Sequence, residues 1–177
     1  MALCLIICEN LENTIMPKEI PATPAVRILR ENKADFTIHP YRYEEKGGAG
    51  VAAKAVNADA GLVIKTLVME TETKEPFIVL MHGDMKVSTK ALAAELKVKK
   101  ISPCTQETAH KHTGYIVGGI SPFGTRKPLK IYIEKSIISL ERIYINAGRR
   151  GLLAQISTKE LVRILNPIPV DVAVRAL

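Results

Sequence analysis

Short apolar runs of period two and capped helical segments succeed one another in this chain without strict alternation, and that order limits the folds open to it. A doubly wound parallel sheet needs a helix between successive strands. Here the strand-like runs Val63–Glu70 and Phe77–Met81 are joined only by the polar turn Thr73-Lys74-Glu75-Pro76. The pattern predicts a single compact α+β domain, with a mixed or antiparallel sheet and flanking helices. Further strands are expected over Phe36–Tyr41, near Leu129–Glu134 and over Arg142–Asn146. Thr23-Pro24 opens the first helix, with Thr23 as N-cap, Pro24 at the first position and Asn32-Lys33 at the end. Helices are also expected over Val51–Val56, from the Ser88 cap through Lys97, and over Thr105–His112. A capping box, Ser157-Thr158-Lys159-Glu160, opens a last helix that Asn166-Pro167 stops.

Residues 21–177 read as this domain and residues 1–20 as a separate leader, expected to be poorly ordered, with Met16 as an alternative start. Met1–Cys8 is apolar, but no basic segment precedes it and no small-residue cleavage site follows, so a signal peptide is not expected. Aromatic residues make up 5% of the chain and Trp is absent, so the core must be aliphatic. No apolar run approaches the ~18 residues of a membrane span. The formal charge of +7 favours a polyanionic partner.

Two features carry chemistry. Gly114-Tyr115-Ile116-Val117-Gly118-Gly119-Ile120-Ser121-Pro122-Phe123-Gly124 is read as an apolar strand entering a rigid glycine turn. Two glycines let the backbone approach a ligand, and Pro122 fixes the exit, so a row of N–H groups would face a carbonyl or phosphate oxygen. A tight bend with no function fits the same residues. The second feature is Lys65, which lies within Val63–Met69 and shares a strand face with Val63 and Leu67. A lysine flanked by apolar side chains either snorkels or supplies a point charge in a cleft.

No serine-nucleophile elbow, zinc-protease motif, phosphate loop or dinucleotide fingerprint occurs. Ser121 has no His–Asp partnership in the pattern. Cys4, Cys8 and Cys104 form no paired framework, which suggests a reducing compartment and no zinc site. His110 and His112 point to different faces of a helix, so no metal site is expected. Basic residues cluster at Lys97, Lys99 and Lys100, at Lys111-His112, at Arg126, Lys127 and Lys130, and at Arg149-Arg150. The last two groups follow glycine turns. A pocket ringed by them would suit the end of a nucleic acid, with Tyr41, Tyr43 and Tyr115 available for stacking.

Taken in order, Thr23-Pro24-Ala25-Val26, the Tyr41 strand, Val63-Ile64-Lys65-Thr66-Leu67, the Gly114–Gly124 segment and Ile143–Leu152 resemble the YbaK family of free-standing aminoacyl-tRNA deacylases. That family is similar to the editing domain inserted in bacterial prolyl-tRNA synthetases. The resemblance runs from about Thr23 to about Val174. It implies a strongly curved mixed sheet and removal of a wrong amino acid, typically cysteine, from tRNA(Pro), with tRNA(Cys) as a further substrate. It implies Lys65 as the hallmark site residue and Gly118 and Gly119 as donors to the carbonyl oxygen. Tyr41, Ser121, Pro122 and Glu134 would contact substrate. The implied mechanism is substrate-assisted: the cysteine thiol attacks its own ester and leaves as a cyclic thioester. An aminoacyl-tRNA substrate, prolyl-tRNA synthetase as partner, a cytoplasmic location and no cofactor, DNA or membrane follow from the same resemblance.

The sequence departs from the family at two places. The Glu44–Gly50 loop lacks an expected aromatic residue, and Glu134 stands where Asp is expected. Both leave the preferred amino acid open, with alanine and an attacking water as the alternative. A non-catalytic tRNA- or synthetase-binding module is a further reading, and a small-ester hydrolase on a borrowed fold another.

Overall fold

The computed structural model describes residues 21–175, so the leader and its two cysteines lie outside the described residues. The first helix, α1 (Pro24–Glu31), starts where the sequence places it: Thr23 Oγ1 accepts from Val26 N at 3.1 Å. Three other helices begin on the same device, a hydroxyl that satisfies one of the orphan N–H groups of the first turn. Ser88 caps α3 (Thr89–Leu96), Thr105 caps α4 (Gln106–Thr113) and Ser157 caps α6 (Thr158–Leu165). Asn166 takes the left-handed conformation at φ 43° and ends α6. The remaining helices are α2 (Gly48–Ala55) and the single turn α5 (Lys135–Ile138).

Strands β1 (Phe36–Pro40), β2 (Val63–Thr71), β3 (Pro76–His82), β5 (Ile101–Pro103), β6 (Ile131–Glu134), β7 (Arg142–Asn146), β8 (Leu152–Ser157) and β9 (Ile168–Val170) form one eight-stranded sheet. Its order is β1-β8-β7-β2-β3-β6-β9, with β5 added to β2. The sheet is mixed. β1, β8 and β7 are antiparallel neighbours, as are β2 and β3, whereas β7 joins β2 in parallel, and β3–β6 and β6–β9 are parallel. A separate pair joins β4 (Met85–Val87) to β10 (Ala173–Arg175).

The expected division of the β2 faces is observed. Ile64 and Val68 enter the main core with Ala25 and Leu29 of α1, Ile78 and Leu80 of β3, Ile143 and Ile145 of β7 and Leu161 of α6. The opposite face carries two separate apolar clusters. One packs Met69, Phe77, Val79 and Met81 beneath Leu92 and Ala93 of α3, and the other packs Val63 and Leu153 beneath Ala52 and Ala53 of α2. Leu92 is fully buried, and trimming such a leucine to alanine costs about 2–5 kcal/mol.

Several expectations are corrected. Tyr115–Val117 is not a strand: Tyr115 is buried with its hydroxyl on Phe123 O at 2.7 Å, while Ile116 and Val117 are exposed. The composition suits a strand, but no neighbouring strand supplies the ladder. The α2 helix starts at Gly48, inside the segment read as loop. β8 is buried on both faces and so lacks the period-two pattern that would have shown it. β4, β5, β9 and β10 are three-residue strands, too short to leave a pattern.

Candidate functional site

Lys65 occupies the break between the α2 and α3 clusters. On its strand face Val63 belongs to the first and Leu67 packs against the second, and Lys65 between them is half-buried. Its ammonium donates to Met85 O of β4 at 2.5 Å. No carboxylate forms an ion pair with it among the described residues. Burial lowers its pKa from the usual lysine value, Asp84 counteracts this, and Lys86 adds to the depression. A lysine that is partly desolvated and unpaired is a charge held ready for an anionic or polarised group.

Beside it lies the parallel seam of the sheet. Val63 pairs with Tyr144 and Ile64 with Ile145, and the next residues on the two strands are Lys65 and Asn146. Asn146 organises the turn that follows. Its Oδ1 accepts from Gly148 N at 2.8 Å and Arg149 N at 3.2 Å, an Asx arrangement. Its Nδ2 donates to Gly118 O at 3.2 Å, which ties the two glycine turns together. Arg150 Nε donates to Val117 O at 2.9 Å, and the Arg150 guanidinium lies 5.0 Å from the Tyr43 ring centroid. From the other side, Thr23 Oγ1 donates to Ala147 O, and Tyr41 N donates to Gly151 O at 2.9 Å.

Both glycines of the first turn are required by this packing. Gly118 has φ +88°, and a Cβ there would stand 2.6 Å from Tyr43 Oη. A Cβ on Gly119 would stand 2.8 Å from the backbone N of Arg150. Their N–H groups differ. Gly119 N–H closes the turn onto Ile116 O at 2.8 Å, whereas Gly118 N–H has no partner among the described residues. Only the Gly118 N–H is therefore free for a ligand in this conformation.

The other candidate residues divide. Tyr41 is half-buried against the α2 cluster, and burial raises its phenol pKa, with Tyr43 adding to the effect. It stands with Tyr43 on the site side of the fold. Ser121 and Pro122 are buried; Ser121 is 0% exposed and its Oγ accepts from Phe123 N at 3.3 Å. Glu134 is 2% exposed, and its Oε2 accepts from Val172 N at 2.8 Å and Ala173 N at 2.9 Å. The sequence reading put these three in a substrate pocket. In the structure they offer a ligand no free surface, because the core and the C-terminal segment use them. Tyr115 is likewise core rather than a stacking platform, and burial pushes its phenol up to about 12.

Asn146 was missed as a site residue. The Asn-Ala-Gly sequence signals an Asx turn, but nothing local shows that its amide reaches Gly118, 28 residues away. Cys104 is the free thiol among the described residues. Burial and the neighbouring Glu70 raise its pKa to about 11, so it is protonated near neutrality and a poor nucleophile. No group of His, Cys, Asp and Glu suited to a metal ion occurs among the described residues, and no helix there is long and apolar enough to cross a membrane.

The α+β scaffold thus sets a half-buried lysine beside a glycine turn braced by Asn146 and Arg150. Residues 44–164 match the family model of the aminoacyl-tRNA editing domain, and the chain belongs to that family. It is 25% identical over 145 residues to a protein of Enterococcus faecalis that carries the provisional name Cys-tRNA(Pro)/Cys-tRNA(Cys) deacylase EbsC; the match covers 81% of this chain and 88% of that one. It is 31% identical over 96 residues to the proline–tRNA ligase of Brachyspira hyodysenteriae, covering 54% of this chain and 17% of the ligase. A crystal structure described as a provisional trans-editing enzyme for prolyl tRNA synthetase superposes with a TM-score of 0.73 at 21% identity, covering 86% of this chain and 98% of that one, which shows the shared fold.

Proposed function

We propose that this protein clears a mischarged amino acid, cysteine foremost, from tRNA(Pro) by ester cleavage, acting in trans beside a prolyl-tRNA synthetase in the cytoplasm. The observation that carries the reading is a site with a positive charge and one free backbone donor, Gly118 N–H, but no nucleophile of its own. Lys65 is poised in a gap of the apolar cover, Ser121 is inaccessible and Cys104 is protonated. The attacking group must then come from the substrate or from water.

In the substrate-assisted course the thiol sulfur of the cysteinyl group attacks its own ester carbonyl carbon. The carbon–oxygen bond to the terminal ribose breaks, and the thiol proton passes to the departing ribose oxygen. The amino acid leaves as a cyclic thioester, which water opens to free cysteine. The protein's work is positioning and electrostatic stabilisation. Gly118 N–H faces the carbonyl oxygen as charge develops on it. Lys65 leaves Met85 O to hold the terminal ribose–phosphate. Tyr41 and Tyr43 flank the terminal base, and Arg150 keeps Tyr43 in place.

A second reading has a specific observation in its favour. Gly48 and Gly50 are exposed in the first turn of α2 and a Cβ on either would meet nothing within 4 Å, so the place where the resemblance expects an aromatic residue is left open. Such room suits a water-based deacylase that accepts alanine. Deacylation rates on cysteinyl-, alanyl- and seryl-tRNA(Pro) separate the two. The thiol course predicts cysteinyl-tRNA cleared far faster than seryl-tRNA, because a hydroxyl is the weaker nucleophile. Equal rates on cysteinyl- and alanyl-tRNA would refute it, and no deacylation of any of the three would refute the enzyme reading.

A further inference from the structure

One cleft lies away from Lys65. It measures about 620 Å³ and opens at the far end of β2, between the β2–β3 turn, the α3–β5 connection and the segment before β6. Its floor is the edge-to-face pair Phe77 and Tyr132, with ring centroids 5.4 Å apart. His112, Lys127 and Lys130 line its walls against a single carboxylate, Glu75. Neither lysine forms an ion pair among the described residues. Further cations stand near: Lys97 lies between the lining residues Leu96 and Val98, and Lys111 adjoins His112. Of the nearby acids, Glu72 is held by the backbone N–H groups of Lys99 and Lys100, and Glu70 is paired with Lys74. Burial lowers the His112 pKa, and Lys127 and Lys111 depress it further.

The Phe77 and Tyr132 side of this cleft shares a sheet face with Lys65, whereas Leu129 of its lining packs against the opposite core. Phe77 and Tyr132 belong to the α3 cluster, against which Leu67, two residues from Lys65, also packs. Thr71, at the cleft, is six residues along β2 from Lys65, a separation of about 20 Å at ~3.3 Å per residue. The cleft is open to solvent, which suits a chain passing through rather than a small enclosed anion. Unpaired lysines over an aromatic floor are what a sugar–phosphate backbone requires.

We propose that this cleft is a second RNA contact, which holds the phosphate backbone of the tRNA body while the aminoacylated end lies at Lys65. The assignment rests on the tRNA reading above and extends it to a surface about 20 Å from the chemistry. It makes Lys127 and Lys130 binding residues with no part in ester cleavage.

The test measures binding of uncharged tRNA over a salt series for the wild type, for Lys127→Glu/Lys130→Glu, and for Lys33→Glu/Lys159→Glu. The last is an equal charge change on two exposed residues away from the cleft. The cleft variant should weaken binding at least about 10-fold, and its log–log salt slope should fall by about 2, near 0.9 per lost phosphate contact. Its kcat on saturating mischarged tRNA, and its rate on a short aminoacyl-adenosine ester, should match the wild type. If charge reversal lowers the melting temperature, Lys127→Gln/Lys130→Gln is measured instead and should lose a smaller part of the slope. Unchanged binding, or equal weakening in both charge-reversal variants, overturns the cleft while leaving deacylation intact. Cleft-dependent binding without any deacylation supports the cleft and refutes the deacylase reading alone. A wild type that does not bind tRNA overturns both.

Discussion

Glu134 gives the sharpest test of how the structure divides its acidic and polar residues. One carboxylate oxygen accepts the N–H groups of both Val172 and Ala173, and the side chain is almost wholly buried. It thereby anchors the start of β10 against the end of β6. A hydrogen bond to a charged acceptor contributes about 1.5–3 kcal/mol, so Glu134→Ala removes about 3–6 kcal/mol if both donors stay dry. In a domain of this size 1 kcal/mol moves Tm by about 2–4 °C, which puts the expected drop at roughly 6–24 °C. Glu134→Gln can keep an oxygen at the same place and should lose only about 1–2 kcal/mol, the charge-assisted part. Thermal unfolding of the three proteins gives the magnitudes. Hydrogen exchange at the Val172 and Ala173 amides localises the loss. kcat/KM per folded molecule should stay within a few-fold of wild type. A Glu134→Gln protein with normal Tm but ~100-fold lower kcat/KM would refute the structural role and return Glu134 to the pocket.

Lys65→Ala should lower deacylation at least ~100-fold while Tm changes by no more than about 4 °C, since the side chain makes one hydrogen bond to Met85 O; near-normal turnover would sink its assignment. The enzymatic rate on cysteinyl-tRNA should rise as the substrate thiol ionises and fall again at a pH below the usual lysine pKa of 10.5, as Lys65 loses its proton, and Lys65→Ala should lack the falling limb. Gly118→Ala should cost about 1–2 kcal/mol from its positive φ and displace Tyr43, so adding Tyr43→Ala should recover part of the loss. Gly119→Ala meets backbone at Arg150 and should gain nothing from the same second change. Cys104 has its pKa raised from 9.0 to about 11, so the folded state keeps a proton that the unfolded state has released. Stability should therefore decline as pH rises from about 9 to 11, and Cys104→Ala should remove that slope without changing deacylation, as chemical denaturation across this range will show.

Local signals reached the four capped helices and the strands β1, β2, β3, β6 and β7, because each is fixed by neighbours in sequence, whereas β8 and α5 left none. Three of the four side-chain caps are visible as Thr23, Ser88 and Ser157, Thr105 reads only as a helix start, and Lys65 stands out because alternation assigns it to an apolar face. What pairing decides was hidden. Tyr115-Ile116-Val117 has strand composition, yet no partner strand runs beside it, and Tyr115 turns into the core instead. Ser121 and Glu134 carry polar groups in a family-like pattern, but the N–H groups that use them belong to Phe123 and to Val172 and Ala173. For Glu134 those partners lie 38 and 39 residues away, beyond any local reading. The cationic cleft was legible only as scattered basic clusters, because β2–β3, α3 and the 127–130 segment are brought together by the sheet.

The tie between Thr23 and Ala147 spans 124 residues, and β1 pairs along its length with β8. During synthesis the chain therefore makes Lys65 long before it makes the residues that brace its surroundings. At ~5–20 residues per second, Asn146–Gly151 follow Lys65 by several seconds. Through that interval α1 and β1 have no sheet edge to join, and their apolar faces stay uncovered. Closure then waits on contacts of large sequence separation, which places refolding in the millisecond-to-second range typical of non-local topologies. A chain arrested before the end of β7 would therefore carry Lys65 without the Asn146 turn that braces its surroundings.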